Sequence, residues 1–360
     1  MIRSRRRYTL LSSNPAHCPK IRMKRYDLYA IGNALVDSEY EISDAQLEAM
    51  GVAKRHMTLI DAPRRDALLA QVQGGHARRS GGGSAANTVV ALAQLGGQGF
   101  YSCRVANDEL GRLYAADLAA NNVDSNLASG GLIDPQQGQT GSCLVLVTPD
   151  AERSMNTFLG TTADLEENAL DALALAASSV YYMEGYLAAS PTGLAAALKG
   201  RAIASQAGVA LATTLSDMSM INFCRPGLEA MLGDGLDYLF ANEEEAQTWC
   251  ASKDLPMICT QLSRLARTVC LTRSAKGCLV LNKGQQLEVP AAQVHAIDTN
   301  GAGDMFAGAF LYACTQGHTL AQAAWLANQA AGQVVSHYGN RLASAVVAGV
   351  KQDYTRYLAG

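Results

Sequence analysis

The sequence predicts an α/β protein, a doubly wound, mostly parallel sheet flanked by helices and carrying a small β-rich lid. Three observations predict it. Short apolar segments alternate with helical ones along most of the chain, the pattern of parallel strands joined by helical crossovers. At 360 residues the chain can hold one large α/β body plus an accessory lobe, and a composition of 49 % apolar and 17 % charged residues supports a packed core. Two stretches, about 37–61 and 140–160, break the alternation with strand-like segments at strand ends, which suits a lid.

Residues 1–25 stand apart as a basic extension. They hold eight Lys or Arg and no acid, which leaves the rest of the chain at −11 within a net charge of −3. They lack the long apolar centre of a secretory signal, and Met23 lies just ahead of the first strand. Residues 1–22 therefore read as a disordered or misassigned extension, with one domain expected over 26–360. That domain opens with a strand over 26–31, followed by a helix over 84–95, a strand near Phe100 and a helix over 109–120. A strand near Val180, a helix over 191–204 and strands over 209–212 and 238–241 continue the rhythm, the last leading into another helix. Within the lid, 142–148 and 153–158 read as neighbouring strands around a Pro149-Asp150 turn.

Several function classes fall away on composition. No apolar run approaches the roughly 18 to 20 residues needed to cross a bilayer, so a membrane protein is not expected. The acidic body lacks the basic face that nucleic acid requires. Nine cysteines form no Cys-x-x-Cys pair and no zinc spacing with histidine, and most lie in apolar runs. They read as reduced core thiols of a cytoplasmic protein.

The chemistry concentrates at Asp298-Thr299-Asn300-Gly301-Ala302-Gly303-Asp304, where a glycine turn meets an apolar helical segment. Gly301, Ala302 and Gly303 offer backbone N–H groups nearly bare of side chains, and the helix adds the positive end of its dipole, so an anion such as phosphate should dock there. Asp304 would then stand beside the phosphoryl group and could take the proton of an attacking hydroxyl. A first-turn Asp also serves simply to complement the dipole. Asp37, close behind the first strand, can accept two hydrogen bonds from a vicinal diol or be a plain loop residue. Gly82-Gly83 lets a flat substrate approach the main chain, and Asn87, one turn into the next helix, offers both a donor and an acceptor. Glu184 ends an apolar strand and should face a ligand, an ion-pair partner or water. Asn242 and Glu245 have the spacing of a capping box as well as of a phosphate-side pair. Arg153 begins a lid strand, from which it can reach down to phosphates or stay in solvent. No Gly-x-x-x-x-Gly-Lys-[Ser/Thr] occurs, which excludes a P-loop. Gly301, Gly303 and Gly308 miss the dinucleotide spacing.

These segments resemble a known family. Asp298 to Asp304 is similar to the carboxyl-terminal signature of the ribokinase-like (PfkB) kinases, a family of sugar and adenosine kinases. Gly82-Gly83-Ser84-Ala85-Ala86-Asn87 is similar to its glycine signature, Tyr29 to Asp37 to its opening strand with the substrate aspartate, and Asn242-Glu243-Glu244-Glu245 to its Asn-x-x-Glu element. The resemblance runs from about residue 26 to the end and implies a ribokinase-like fold whose β lobe closes over the substrate. It implies ATP and Mg²⁺, with Asp304 as base, Gly301, Ala302 and Gly303 as anion hole, and Asp37, Gly82, Gly83, Asn87 and Glu184 on the acceptor. Asn242 and Glu245 would organise Mg²⁺ indirectly, Thr272 and Gly277 would flank an ATP loop, Asn328 would wall the adenine, and Arg153 would reach the phosphates. Asp298, Asn300 and Gly339 match a region that binds K⁺ in many members, although Asn300 replaces a frequent hydroxyl residue. Ser84, where ribose kinases carry lysine, and Arg153-Ser154-Met155-Asn156 favour an adenosine-like nucleoside acceptor. A free sugar remains the alternative and a non-catalytic nucleoside sensor the third reading, for a monomer or homodimer.

Overall fold

The computed structural model describes residues 24–72, 78–150 and 152–360, so the extension expected over 1–22 lies outside the described residues. In chain order the elements are β1 (Tyr26–Ile31), β2 (Leu35–Glu41), α1 (Asp44–Ala49), β3 (Met57–Leu59), α2 (Ala62–Gln71), β4 (Arg78–Gly82), α3 (Ser84–Leu95), β5 (Gly99–Ser102), β6 (Val105–Ala106), α4 (Glu109–Ala120), β7 (Val123–Ser125) and β8 (Leu132–Ile133). They continue as β9 (Gly141–Val147), β10 (Arg153–Phe158), α5 (Ala172–Ala176), β11 (Ser178–Met183), α6 (Pro191–Gln206), β12 (Ala210–Thr214), α7 (Met218–Phe223), α8 (Arg225–Leu232) and β13 (Leu236–Asn242). Last come α9 (Glu243–Cys250), α10 (Leu255–Leu262), β14 (Ala266–Thr272), β15 (Cys278–Asn282), β16 (Gln285–Val289), α11 (Ala302–Thr315), α12 (Leu320–Val335) and α13 (Ser344–Ala359).

Nine strands form the main sheet in the order β16-β15-β14-β13-β12-β11-β1-β5-β7. Every pairing from β7 to β14 is parallel, while β15 and β16 run antiparallel. The antiparallel edge has a local cause. Lys283 and Gly284, with φ of 48° and 78°, make the two-residue turn with both central residues left-handed that joins twisted hairpin strands.

Alternation within the strands assigns the two helical layers. Leu28, Ala30, Tyr182, Ala212 and Phe240 pack with α3, α11, α12 and α13. Their neighbours Tyr29, Ile31, Tyr181, Met183 and Leu239 pack on the opposite face with α6, α8, α9 and α10. Strands buried on both faces read as apolar throughout, and β11 is buried at all six positions. A second sheet, ordered β3-β10-β9-β2-β4, has its own small core, in which Tyr40, Leu144 and Leu146 meet Leu47, Met50 and Leu68 of the α1 and α2 region. It contains the strands expected around Pro149-Asp150, paired antiparallel as β9 and β10.

The chain leaves β1 toward β5 and β7 in one direction and returns through β11 to β14 in the other, so strand order reverses between β1 and β11. In open α/β sheets, ligands bind in the crevice at the carboxyl ends of such strands. Gly32 and Asn33 follow β1, and Glu184 follows β11.

Candidate active site

Two helices begin at this crevice side by side. Gly308 of α11 lies so close to α3 that a Cβ there would fall 2.4 Å from the Thr88 carbonyl oxygen and 2.7 Å from the Ala91 Cβ. One turn earlier in each helix, Asp304 meets Ser84 and Asn87, so the helices run parallel and their amino termini converge. Ser84 Oγ donates to Asp304 Oδ1 at 2.6 Å, and Asn87 Nδ2 donates to Oδ2 at 3.1 Å. Burial lifts the Asp304 carboxyl from an ordinary 3.8 to about 6, against the downward pull of those two donors and of Arg341. Such a group is ionised at neutral pH and still basic enough to accept a proton.

The two helix starts are used differently. The α3 start is capped internally, because Ala85 N–H donates to Glu184 Oε2 at 2.8 Å. The α11 start follows Gly301 in the left-handed region, and Gly303 is exposed with open space on its Cβ side. Its first N–H groups lack intrahelical carbonyl partners, and with the dipole they favour an anion beside Asp304.

Gly82 and Gly83, expected to let a substrate approach the main chain, also lie close to protein groups. A Cβ on Gly82 would lie 2.6 Å from Asp37 Oδ2. One on Gly83, whose φ is 99°, would lie 2.1 Å from the Asn33 carbonyl oxygen. The glycines thus bring the Asp37 carboxyl against the main chain just ahead of α3. Tyr114 from α4 secures the strand by donating to the Gly82 carbonyl at 2.9 Å. Asp37 sits on β2 of the second sheet, accepts from Asn340 Nδ2 at 3.1 Å, and is pushed by burial to about 6.

Glu184, expected to face a ligand, an ion-pair partner or water, is held by protein donors. It is 1 % exposed and spends its oxygens on Ala85 N–H and on the backbone and side-chain nitrogens of Asn33, so it ties the loop after β1 to α3 from below the crevice. Burial pushes its carboxyl to about 7. Asn328, expected to wall the adenine, is held by the main chain after β16. Its amide is buried and donates to the Val289 and Pro290 carbonyls, both at 3.0 Å, which pins the segment after β16.

On the far side of Asp304 a cavity of about 80 Å³ is lined by Gly303, Asp304, Asn242, Glu245, Thr272 and Ser216 among others. Asn242 and Glu245 form a complete capping box at the start of α9, and burial raises Glu245 to about 7. Gly277 is not among the residues lining this cavity. The box occupies both Glu245 oxygens, and among the described residues no group of three or more His, Cys, Asp or Glu is gathered as a metal site. Direct protein ligation of Mg²⁺ is therefore not offered, whereas an ion carried on nucleotide phosphates and reached through water fits these residues.

Arg153 is engaged as well. Its guanidinium joins Glu39 of β2 at 3.1 Å to Asp298 at 3.0 Å and lies 5.6 Å from the Tyr338 ring centroid. Asp298 also accepts from the backbone N–H of Asn300 at 3.1 Å and of Gly339 at 3.0 Å. The residues matched to a monovalent-cation region are thus joined to one another, with the Asp298 carboxylate accepting from N–H donors and a guanidinium.

Sequence reasoning did not single out Asn340, Arg341 or Asp117. Arg341 Nε donates to Asn87 Oδ1 at 2.9 Å, and its Nη1 pairs with Asp117 of α4. The Gly339-Asn340-Arg341 turn thereby contacts Asp298, Asp37 and Asn87 with three consecutive residues. A polar pair following glycine just ahead of the last helix was the available signal, but nothing local names its partners.

Known proteins resemble this chain in sequence and fold. Residues 52–345 match the family described as pfkB family carbohydrate kinase. A probable sugar kinase from Rhizobium etli CFN 42 is 33 % identical, with 92 % of this chain and 99 % of that one covered at a TM-score of 0.83. An adenosine kinase from Sinorhizobium meliloti is also 33 % identical, with 91 % and 99 % covered at 0.82. An adenosine kinase from Schizophyllum commune is 28 % identical over 333 residues, 83 % of this chain and 91 % of its own. The chain belongs to the pfkB carbohydrate kinase family, phosphotransferases that act on an alcohol group.

Proposed function

We propose that the chain transfers the γ-phosphoryl group of ATP to the primary hydroxyl of an adenosine-like nucleoside. The observation that carries this reading is the Asp304 carboxylate, held by Ser84 and Asn87 beside the open amino terminus of α11. The phosphoryl group docks on the N–H groups of Gly301, Ala302 and Gly303. Asp304 takes the proton as the acceptor oxygen attacks, and ADP leaves. When bound, Mg²⁺ would neutralise phosphate charge, and Asn242 and Glu245 would hold it through water. The second sheet serves as the lid, tied down through Arg153, and excludes water.

Two features support a nucleoside. On the lid face that carries Asp37, register places Cys143, Val145 and Met155, an apolar surface for a flat base beside a carboxylate suited to a ribose diol. Two of the relatives are adenosine kinases. A free sugar is the second reading, favoured by the similarity to a probable sugar kinase. No helix of the described residues is long and apolar enough to cross a membrane. Buried thiols such as Cys103, Cys143 and Cys278 suit the reducing cytoplasm. ADP release measured against adenosine, inosine, ribose and fructose tests the acceptor. Turnover with adenosine is expected, and turnover confined to the sugars overturns the nucleoside reading.

A further inference from the structure

We propose that Arg341 is a positioning residue of the phosphotransfer site, acting through Asn87 on Asp304, an inference that rests on the base role given to Asp304 above. The geometry is a chain of four side chains drawn from three helices and one turn. Asp117 on α4 pairs with Arg341 Nη1, Arg341 Nε donates to Asn87 Oδ1 at 2.9 Å, and Asn87 Nδ2 donates to Asp304 Oδ2 at 3.1 Å.

An amide side chain has one accepting end and one donating end, and a guanidinium can only donate. With Arg341 fixed on its oxygen, Asn87 must turn its NH₂ toward Asp304. A flipped amide would aim an oxygen at the carboxylate and a donor at the guanidinium, both repulsive. Arg341 therefore sets the direction of the dipole that faces the base, and Asp117 holds the guanidinium plane that does so.

The pair is enclosed by the main chain. A Cβ on Gly81 would lie 2.4 Å from Asp117 Oδ2 and 3.3 Å from Arg341 Nη2, so β4 passes as close as bare backbone allows. The Arg341 side chain is 11 % exposed. Asp304 is faced by the carboxyls of Glu184, beyond β11, and Glu245, on α9, and by the phenols of Tyr182 and Tyr186. Asp217, at the start of α7, crowds Glu245. Against these groups, Arg341 supplies positive charge to the Asp304 carboxyl.

Kinetics on the full-length chain with ATP, Mg²⁺ and the acceptor that the wild type uses test the assignment. Arg341→Met is expected to lower kcat roughly 10- to 100-fold, the cost of a misplaced reacting group, with little change in the KM for ATP. It should also move the acidic limb of the kcat–pH profile upward, which a purely structural loss would not do. Arg341→Lys keeps the charge without the planar fork, so it should lose rate while its acidic limb stays near the wild-type position. Asp117→Asn should lose rate as well. A folded Arg341→Met with wild-type kcat and acidic limb overturns the proposal. If that variant fails to fold by circular dichroism, wild-type kcat in both Arg341→Lys and Asp117→Asn overturns it. Asp304→Asn separates the two levels. Wild-type turnover by that variant sinks the base reading itself, whereas an Asp304→Asn slowed roughly 10²-fold or more beside unaffected Arg341 variants sinks only the role of Arg341.

Discussion

Asp304 is the proposed base because three local facts coincide at one side chain: a helix start, two donors from a neighbouring helix, and desolvation. Asp304→Asn should keep nucleotide binding while lowering turnover by roughly 10² to 10⁴, read as kcat beside an isothermal titration with ATP; wild-type turnover would remove the base assignment. With the carboxyl near 6, kcat should also fall as pH drops through about 6, where the base becomes protonated. An acidic limb near 4 instead would mean that the carboxyl is not desolvated. The chain positions of Asp37, Asn87 and Asp304 were legible in the sequence because each lies in a short run with its own physical logic. Their partners were not. Asn340 and Asp37 are 303 positions apart and Arg341 and Asn87 are 254, distances over which no spacing rule operates. Glu184 was legible as a buried carboxylate, but the sequence does not reveal that its oxygens are consumed by Asn33 and Ala85.

Elements position these residues through their ends. Gly301 has a φ of 75°, and a Cβ there would sit 2.7 Å from the Asn340 carbonyl oxygen, so Gly301→Ala combines a strained backbone with a collision. It should cost roughly 1–3 kcal/mol in urea denaturation and reduce activity at temperatures where the chain is still folded. Unchanged stability and activity would show that the turn tolerates a side chain. Arg153 fastens the second sheet to the loop before α11. Arg153→Met should raise the acceptor KM roughly tenfold, equivalent to about 1.4 kcal/mol, more than the KM for ATP, and speed hydrogen exchange in β9 and β10. Equal effects on both substrates would argue that Arg153 does not hold a lid. The helix at 109–120 could be read from periodicity because it buries one face, through Gly111, Tyr114 and Leu118, whereas the helix at 84–95 is buried on nearly every side and was legible as an apolar run behind glycine. The antiparallel turn at Lys283-Gly284 escaped, since Lys in a left-handed conformation leaves no compositional mark as clear as Asn-Gly.

At the scale of the whole molecule, burial of acids sets the response to pH. The carboxyls of Asp37 and Asp304 are raised to about 6 and those of Glu184 and Glu245 to about 7, so the folded state holds these protons more tightly than the unfolded chain. That contribution is fully present below the ordinary carboxylate range and is lost as pH rises through 4 to 7. Asp150, held low by Lys54, has finished titrating on the acid side of this window. The thermal midpoint should therefore fall between pH 5 and 8, and less so in Asp304→Asn; a midpoint that rises over the same interval would contradict the burial of these groups. The doubly wound body was legible because alternation of apolar strands and helices repeats along most of the chain. The joining of the second sheet to the body was not, because it runs through Arg153 to Asp298 and through Asp37 to a turn near the carboxyl end. That turn has a consequence for synthesis. A ribosome releases Asp37 and Asn87 long before Asn340 and Arg341 exist, so the bonds that hold these two side chains from that turn form only after nearly the whole chain has been made.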